Sequence, residues 1–169
     1  MACIDMVVTR ASIHRSSGCW PEHEATGTVT LFFEERYRRR IRLVTDQGEE
    51  VLLDLPKAVA MADGDGLRLH DGRWLKIRAA AEPVVEVSHT DPEQLTRLAW
   101  HLGNRHLPTQ IVRAVLRIRP DHVIEAMLES LGANLVKMRA PFQPEGGAYS
   151  SHGERHHHHS DASVHRHDR

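Results

Sequence analysis

The spacing of hydrophobic positions changes character about halfway along this chain. In the first half they come as short runs: Met6-Val7-Val8, Thr28-Val29-Thr30-Leu31-Phe32-Phe33, Ile41-Arg42-Leu43-Val44 and Glu50-Val51-Leu52-Leu53-Asp54-Leu55. Asp46-Gln47-Gly48, Asp63-Gly64-Asp65-Gly66 and Asp71-Gly72 punctuate them, the last two flanking a shorter run, Leu67-Arg68-Leu69. Apolar and β-branched runs of this length between Gly/Asp turns predict strands. With Trp74-Leu75-Lys76-Ile77-Arg78 as a further strand, residues 1–80 are expected to form a small all-β domain, bounded near Ala79-Ala80-Ala81-Glu82-Pro83.

Beyond that boundary a helical period appears. Val84-Val85-Glu86-Val87-Ser88 reads as a strand. Asp91-Pro92-Glu93-Gln94 then opens a helix, with Asp as N-cap, Pro at the first helical position and Gln94 placed for a reciprocal capping bond. Leu95, Leu98, Ala99 and Leu102 follow the i, i+3, i+4, i+7 rule for one buried face. Ile111 to Ile118 reads as two strands or one long strand with a bend. A second helix carries Ile124, Met127, Leu128 and Leu131 on one face and stops at Gly132, before a last strand at Asn134-Leu135-Val136-Lys137-Met138. Strand, helix, strand, strand, helix, strand is the order of a ferredoxin-like βαββαβ domain, expected over residues 81–144. The fold class is therefore α+β, and residues 145–169 are expected to be a disordered, histidine-rich tail.

Composition narrows the chemistry. The chain has 169 residues, 40% of them hydrophobic, and a formal net charge of −1, so no global basic field favours nucleic acid or an anionic membrane. No apolar run approaches the roughly 20 residues of a membrane span, and Met1-Ala2-Cys3-Ile4-Asp5 lacks the character of a secretory signal, so a cytoplasmic location is expected. Cys3 and Cys19 form no C-x-x-C pair, which leaves metal binding to nitrogen and oxygen ligands. Nucleophile elbows, phosphate-cradling glycine loops and H-E-x-x-H motifs are missing, so an enzyme is not expected.

The histidines point elsewhere. Seven of the 14 fall between His152 and His167, including the run His156, His157, His158 and His159, with His165 and His167 beyond it. Imidazole suits nickel, zinc and copper alike. Only four of these histidines are consecutive and ten residues follow them, unlike an appended purification run, so a natural metal-binding tail is expected. Only neutral imidazole ligates, and free imidazole titrates near pH 6.5, so affinity should fall below that pH. One histidine also closes the first helix of the second half: Pro108 forces Leu107 out of helical geometry, which places His106 beside a chain reversal.

These pieces carry a resemblance. Gly103-Asn104-Arg105-His106-Leu107-Pro108-Thr109-Gln110, Asp121-His122-Val123-Ile124-Glu125-Ala126-Met127-Leu128 and Pro141-Phe142-Gln143-Pro144-Glu145-Gly146-Gly147-Ala148-Tyr149 before a histidine tail resemble the urease accessory metallochaperone family, UreE. The resemblance extends to Leu55-Pro56 and Gly64-Asp65 in the first half. It implies a cytoplasmic homodimer, with tetramers around a shared ion left open, that binds Ni(II) and delivers it to apo-urease through the urease GTPase. Zn(II) or Cu(II) are alternative ions in vitro. It also implies that His106 faces its symmetry mate across the dimer interface, with tail histidines completing the coordination and His152 the nearest candidate. In some members two surface histidines before the second helix hold an extra ion; here His122 matches the second position, but Pro120 occupies the first and has no ligating group.

Symmetry makes one histidine per chain a two-nitrogen seat. About 16 residues separate Ala140 from His156, an r.m.s. reach of roughly 20 to 24 Å for a flexible linker. Tail ligands that detach one at a time would let such a seat release its ion. His14, His23, His70, His89 and His101 join no ligand pattern and are read as surface residues. The one dense basic run, Arg36-Tyr37-Arg38-Arg39-Arg40-Ile41-Arg42, is expected to be a solvated strand and turn, with Arg36, Arg38, Arg39 and Arg40 assigned to contact with an acidic protein surface. The alternative reading of the whole chain is a histidine-rich metal buffer with no dedicated recipient.

Overall fold

The structure, a computed structural model, describes residues 9–146; the expected strand Met6-Val7-Val8 and every tail histidine lie outside the described residues. Ten strands and two helices follow in the order β1 (Thr9–Arg15), β2 (Ala25–Leu31), β3 (Tyr37–Val44), β4 (Glu50–Ala60), β5 (Gly66–Leu69), β6 (Trp74–Ala79), β7 (Ala81–Ser88), α1 (Pro92–Asn104), β8 (Gln110–Val112), β9 (Val115–Ile118), α2 (His122–Ser130) and β10 (Asn134–Pro141). They build one six-stranded sheet in the order β2-β6-β5-β1-β4-β3 and one four-stranded sheet in the order β10-β7-β9-β8. The fold is α+β, an all-β unit followed by a ferredoxin-like βαββαβ unit.

In the first sheet, β1 runs parallel to β4 over Thr9 to Ala11 and then antiparallel to β5 from Ala11 to Arg15. The sheet encloses Ala11, Val29, Val51, Leu53, Leu67 and Ile77, all fully buried. The alternation of apolar and polar residues that predicted the strands is the alternation of core and solvent faces. One close approach in this unit has no room for a side chain. A Cβ at Gly66 would lie 2.6 Å from Trp20 Cε2 and 2.7 Å from its Cγ. The Trp20 ring is held by stacking on Trp74 at 5.3 Å and by its Nε1 donating to the Gly64 carbonyl at 3.1 Å. Gly66→Ala is therefore expected to cost about 1–3 kcal/mol, the range for overpacking, and urea denaturation measures it; a cost near zero would show that the indole shifts freely.

The second sheet carries both helices on one face. Leu98 and Leu102 of α1 and Leu128 of α2 are buried against Val85, Val87, Leu116 and Ile118, with Leu95, Ala99, Ile124 and Met127 at the margin. Full burial of each leucine contributes about 1.5–3 kcal/mol. Leu131, expected on the buried face of α2, instead follows the helix as its C-cap and is 40% exposed. At the start of α1 the Asp91 side chain accepts from the Glu93 N–H at 2.8 Å. The reciprocal bond expected of Gln94 is replaced, because the Asp91 N–H donates to Nδ1 of His89 at 2.9 Å. Between Gln110 and Ile118 the chain forms two strands: Val112 pairs with Val115 across a two-residue turn in which Arg113 takes a left-handed φ of 54°.

A third apolar cluster joins the two sheets. Val84, Ala140 and Phe142 are buried there with Phe33 packed against them. The Phe33 N–H donates to Oε1 of the buried Glu82 at 2.9 Å, and Arg119 pairs with Glu34 across the same junction.

Candidate metal centre

Both helices of the second unit end in the same hydrogen-bonded closure. After α2 the Gly132 N–H donates to Glu129 O at 2.9 Å and the Ala133 N–H to Leu128 O at 3.0 Å, with Gly132 at φ 83°. After α1 the His106 N–H donates to Gly103 O at 2.9 Å and the Leu107 N–H to Leu102 O at 3.3 Å, with His106 at φ 55°. This paired 5→2 and 6→1 pattern is a Schellman motif, whose left-handed residue is usually glycine because a Cβ there meets the carbonyl oxygen that follows. Glycine fills that place in α2 and histidine fills it in α1. Histidine tolerates left-handed geometry better than most residues, yet it still carries the strain. The motif throws the imidazole outward, and His106 is exposed. Leu107, next in the chain, turns back onto the core cluster to which Leu102 belongs, in keeping with the hydrophobic contact that accompanies the motif.

Two large apolar side chains within six residues of His106 in the chain are exposed. Trp100 on α1 is 63% exposed and packs edge-on against His101 at 5.1 Å, and Ile111 on the edge strand β8 is 56% exposed. A shallow depression of about 470 Å³ follows, lined by Leu107, Pro108, Ile118, Arg119, Pro120 and Asp121 among others. The segment after His106 and the segment before His122 thus share one hollow. His122 itself is the first residue of α2 and is exposed. Asp121 caps that helix by accepting from Val123 and Ile124. Among the described residues no three His, Cys, Asp or Glu side chains come together as a metal site.

The chain after β10 returns to the segment Thr109 to Ile111, just past His106. The Gln143 N–H donates to Gln110 Oε1 at 3.2 Å, the Glu145 N–H to Thr109 O at 2.9 Å, and the Ile111 N–H to Glu145 Oε1 at 3.2 Å. Thr109 is three residues past His106, at most about 11 Å along an extended chain. The six chain steps from Gly146 to His152 can span at most about 20 Å. His152, His156, His157, His158 and His159 lie outside the described residues.

Two readings of individual residues are corrected. Arg36, assigned to a partner-facing surface, is only 5% exposed; its guanidinium donates to Phe142 O, to Gln143 Oε1 at 3.2 Å and to Met61 O at 3.4 Å. Burial pushes the Arg36 pKa down, opposed by Glu82, Asp63 and Asp65. It was placed outside because it belongs to a charged run, whereas its acceptors lie 25 to 107 residues away. Arg38, Arg39 and Arg40 do lie on β3, an edge strand, where Arg40 approaches Asp54 at 3.9 Å. His14, read as a surface residue, is largely buried and meets Asp65 at 2.7 Å, and Asp65 also accepts from the Ser17 and Ala62 N–H groups.

The family profile described as the UreE urease accessory protein C-terminal domain matches residues 82–168, and that of the N-terminal domain matches residues 8–80. The chain belongs to the urease accessory protein UreE family. Among its UreE relatives, the protein of Rhodopseudomonas palustris strain BisB18 is 52% identical over 151 residues, covering 89% of this chain and 71% of the relative. That of Bradyrhizobium sp. strain ORS 278 is 55% identical over 131 residues, covering 78% of this chain and 62% of the relative, so the match spans less than two thirds of that protein. That of Beijerinckia indica is 46% identical over 151 residues, covering 89% of this chain and 87% of the relative. Each of the three is called urease accessory protein UreE. The UreE match on the C-terminal side runs on through the histidine run to residue 168. No helix among the described residues is long and apolar enough to cross a membrane.

Proposed function

We propose that this UreE family member is a nickel-binding metallochaperone that takes part in urease maturation by delivering Ni(II) to apo-urease. The observation that carries the reading is His106, an exposed imidazole held in a strained left-handed closure where glycine would be easier, three residues before Thr109, whose carbonyl accepts from the Glu145 N–H. In a homodimer with the exposed Trp100 and Ile111 near the twofold axis, two copies of His106 would face each other and supply two nitrogens. Tail histidines, His152 first, would complete the coordination and later let go. Zn(II) and Cu(II) fit the same nitrogen ligands, and raw affinity favours copper. The cargo is therefore set by the recipient, the urease GTPase with the apo-urease complex. Association of dimers into a tetramer around a shared ion fits the same surface histidine.

On this reading the protein performs no catalysis and works in the cytoplasm, where apo-urease is assembled. Arg38, Arg39 and Arg40 on the β3 edge are the contact to an acidic partner surface, and His122 is a secondary, single-ligand metal contact. Truncation after Tyr149 is expected to lower the number of Ni(II) ions bound per dimer while leaving the fold intact, as equilibrium dialysis measures. An unchanged stoichiometry would exclude the tail as a ligand source. Retention of the urease GTPase by the immobilised protein separates delivery from simple buffering, since a buffer needs no recipient.

A further inference from the structure

We propose that the hollow beside Arg36 is a binding site for a small-molecule carboxylate carried on an apolar body about the size of a phenylalanine side chain. The inference depends neither on metal binding nor on the histidine tail.

Three segments of the chain converge on the hollow. Phe33 to Tyr37 leads into β3, Ala60 to Ala62 follows from the end of β4, and Gln143-Pro144 comes after β10; together they line about 410 Å³. Sites for small organic molecules span roughly 300–1,000 Å³. The wall is chiefly apolar, with Phe33, Tyr37, Ala60, Met61 and Pro144 in it. Of its polar members, Glu34 is already paired with Arg119, and Gln143 Oε1 accepts from Arg36 Nη1 and from the Asp63 N–H. That leaves Arg36.

Arg36 is a charge with no counter-charge in contact. It is 5% exposed, and its three hydrogen bonds go to neutral oxygens: Met61 O, Gln143 Oε1 and Phe142 O. None of the ion pairs within 4.0 Å among the described residues includes it. Glu82, Asp63 and Asp65 act on it only from beyond that distance, and burial outweighs them. Its Nε–H meets no acceptor among the described residues. Taking a charge out of water is costly, and an opposite charge that also fills the free donors is what recovers the cost. A carboxylate matches the guanidinium fork in shape and charge. A dianionic phosphate would bring a second charge into an apolar hollow with nothing to meet it.

The rest of the wall sets the body of the ligand. Tyr37 is 63% exposed at the hollow and Met61 is buried behind it, a surface suited to an aromatic or branched apolar group. A free acid enters with its charge leading and its apolar body filling the space behind. An Asp or Glu side chain of a protein has polar main chain behind it instead, which this wall does not match. Because the ligand would touch two segments of the first unit and one that follows β10, its binding would also strengthen the junction between the two sheets.

The test titrates hydrocinnamate into the isotope-labelled full chain in a buffer free of metals and other carboxylates. The amide resonances of Met61, Ala62 and Gln143 are expected to shift saturably, with a Kd on the order of 1 mM or below. At about ten times Kd the Tm is expected to rise by about 3–6 °C. Hydrocinnamyl alcohol, the same body without the charge, is expected to bind at least about tenfold more weakly. Ala60 is exposed, so Ala60→Trp fills the hollow from its rim and is expected to abolish binding in a folded chain. Arg36→Met, where it folds, is expected to bind acid and alcohol equally. No saturable shift, equal affinity for acid and alcohol in the unaltered chain, or unchanged binding in Ala60→Trp overturns the proposal. So does tighter binding of the end-blocked tripeptide Asp-Phe-Asp than of hydrocinnamate, which would give the hollow to a protein segment.

Discussion

Replacing His106 by glycine is expected to abolish the tightest metal site of the dimer while leaving the thermal stability of the protein unchanged or slightly raised. The two effects have separate causes. The imidazole is the only ligand that the proposed interface seat draws from the described residues, and symmetry removes it twice. Losing an outer-sphere partner of a metal ligand typically costs about 10–100-fold in affinity, so losing both ligands of the pair is expected to exceed about 100-fold. The backbone, by contrast, gains. A left-handed residue with a Cβ carries roughly 1–2 kcal/mol of strain, and glycine relieves it while adding about 0.5–1 kcal/mol of unfolded-state freedom. The net lies between zero and about 1.5 kcal/mol of stabilisation, at most about 6 °C in Tm. The mirror experiment exists in the same domain. Gly132→Ala places a Cβ at φ 83° with only an ordinary 3.6 Å neighbour, His89 Nε2, so it is expected to destabilise by about 1 kcal/mol through the backbone alone. Titration calorimetry and thermal melts of both variants decide the matter. A His106→Gly protein with its tightest site intact would remove His106 from the metal centre, and one that melts well below the parent would show that the imidazole is structural.

The contrast between His106 and Gly132 shows where the sequence was readable. The end of α1 was visible from Pro108 and from the spacing of Leu95, Leu98, Ala99 and Leu102, because caps and amphipathic periods are local. The placement of a histidine at the helix end was visible too. Its left-handed φ was not, since a Schellman closure without glycine leaves no compositional mark. The same reason left the β8–β9 region undecided: Arg113-Ala114 makes a hairpin turn without glycine or asparagine. β1 went unrecognised because Thr9 to Arg15 is mostly polar, and its buried partner for His14 is Asp65, 51 residues away. Arg36 was misplaced on the same ground. A charge in a basic run looks solvated until the acceptors that bury it arrive from the other end of the chain. What sequence could not show is therefore of two kinds: left-handed backbone at residues other than glycine, and contacts between segments far apart, which include those of Phe142 to Glu145 with Arg36 and with Thr109 to Ile111. The fold class itself needed only the order of elements, and that order was local information.

Phe142 is where that long-range information concentrates, and Phe142→Ala is expected to be the most destabilising single substitution at the junction. Its side chain is fully buried, stands edge-on to Phe33 at 5.3 Å and 74°, and packs with Val84 and Ala140. Truncating a buried phenylalanine to alanine costs about 3–5 kcal/mol, the lost transfer energy plus the cavity left behind. Here relaxation to fill the cavity is limited, because the backbone on one side is held by Arg36 and on the other by the β10–β7 ladder, in which Ala140 pairs with Glu82 and Pro141 with Ala81. The loss is a large part of the 5–15 kcal/mol typical of a folded protein, and at about 2–4 °C per kcal/mol it corresponds to a fall in Tm of roughly 6–20 °C. The cluster is also the apolar contact between the two sheets, so its loss should weaken their coupling more than either core. Differential scanning calorimetry is accordingly expected to resolve two transitions in place of one, the six-stranded unit and the βαββαβ unit melting separately. A single transition displaced by less than about 2 °C, equivalent to 1 kcal/mol or less, would mean that the ion pair of Arg119 with Glu34 and the Phe33–Glu82 hydrogen bond hold the junction without the ring.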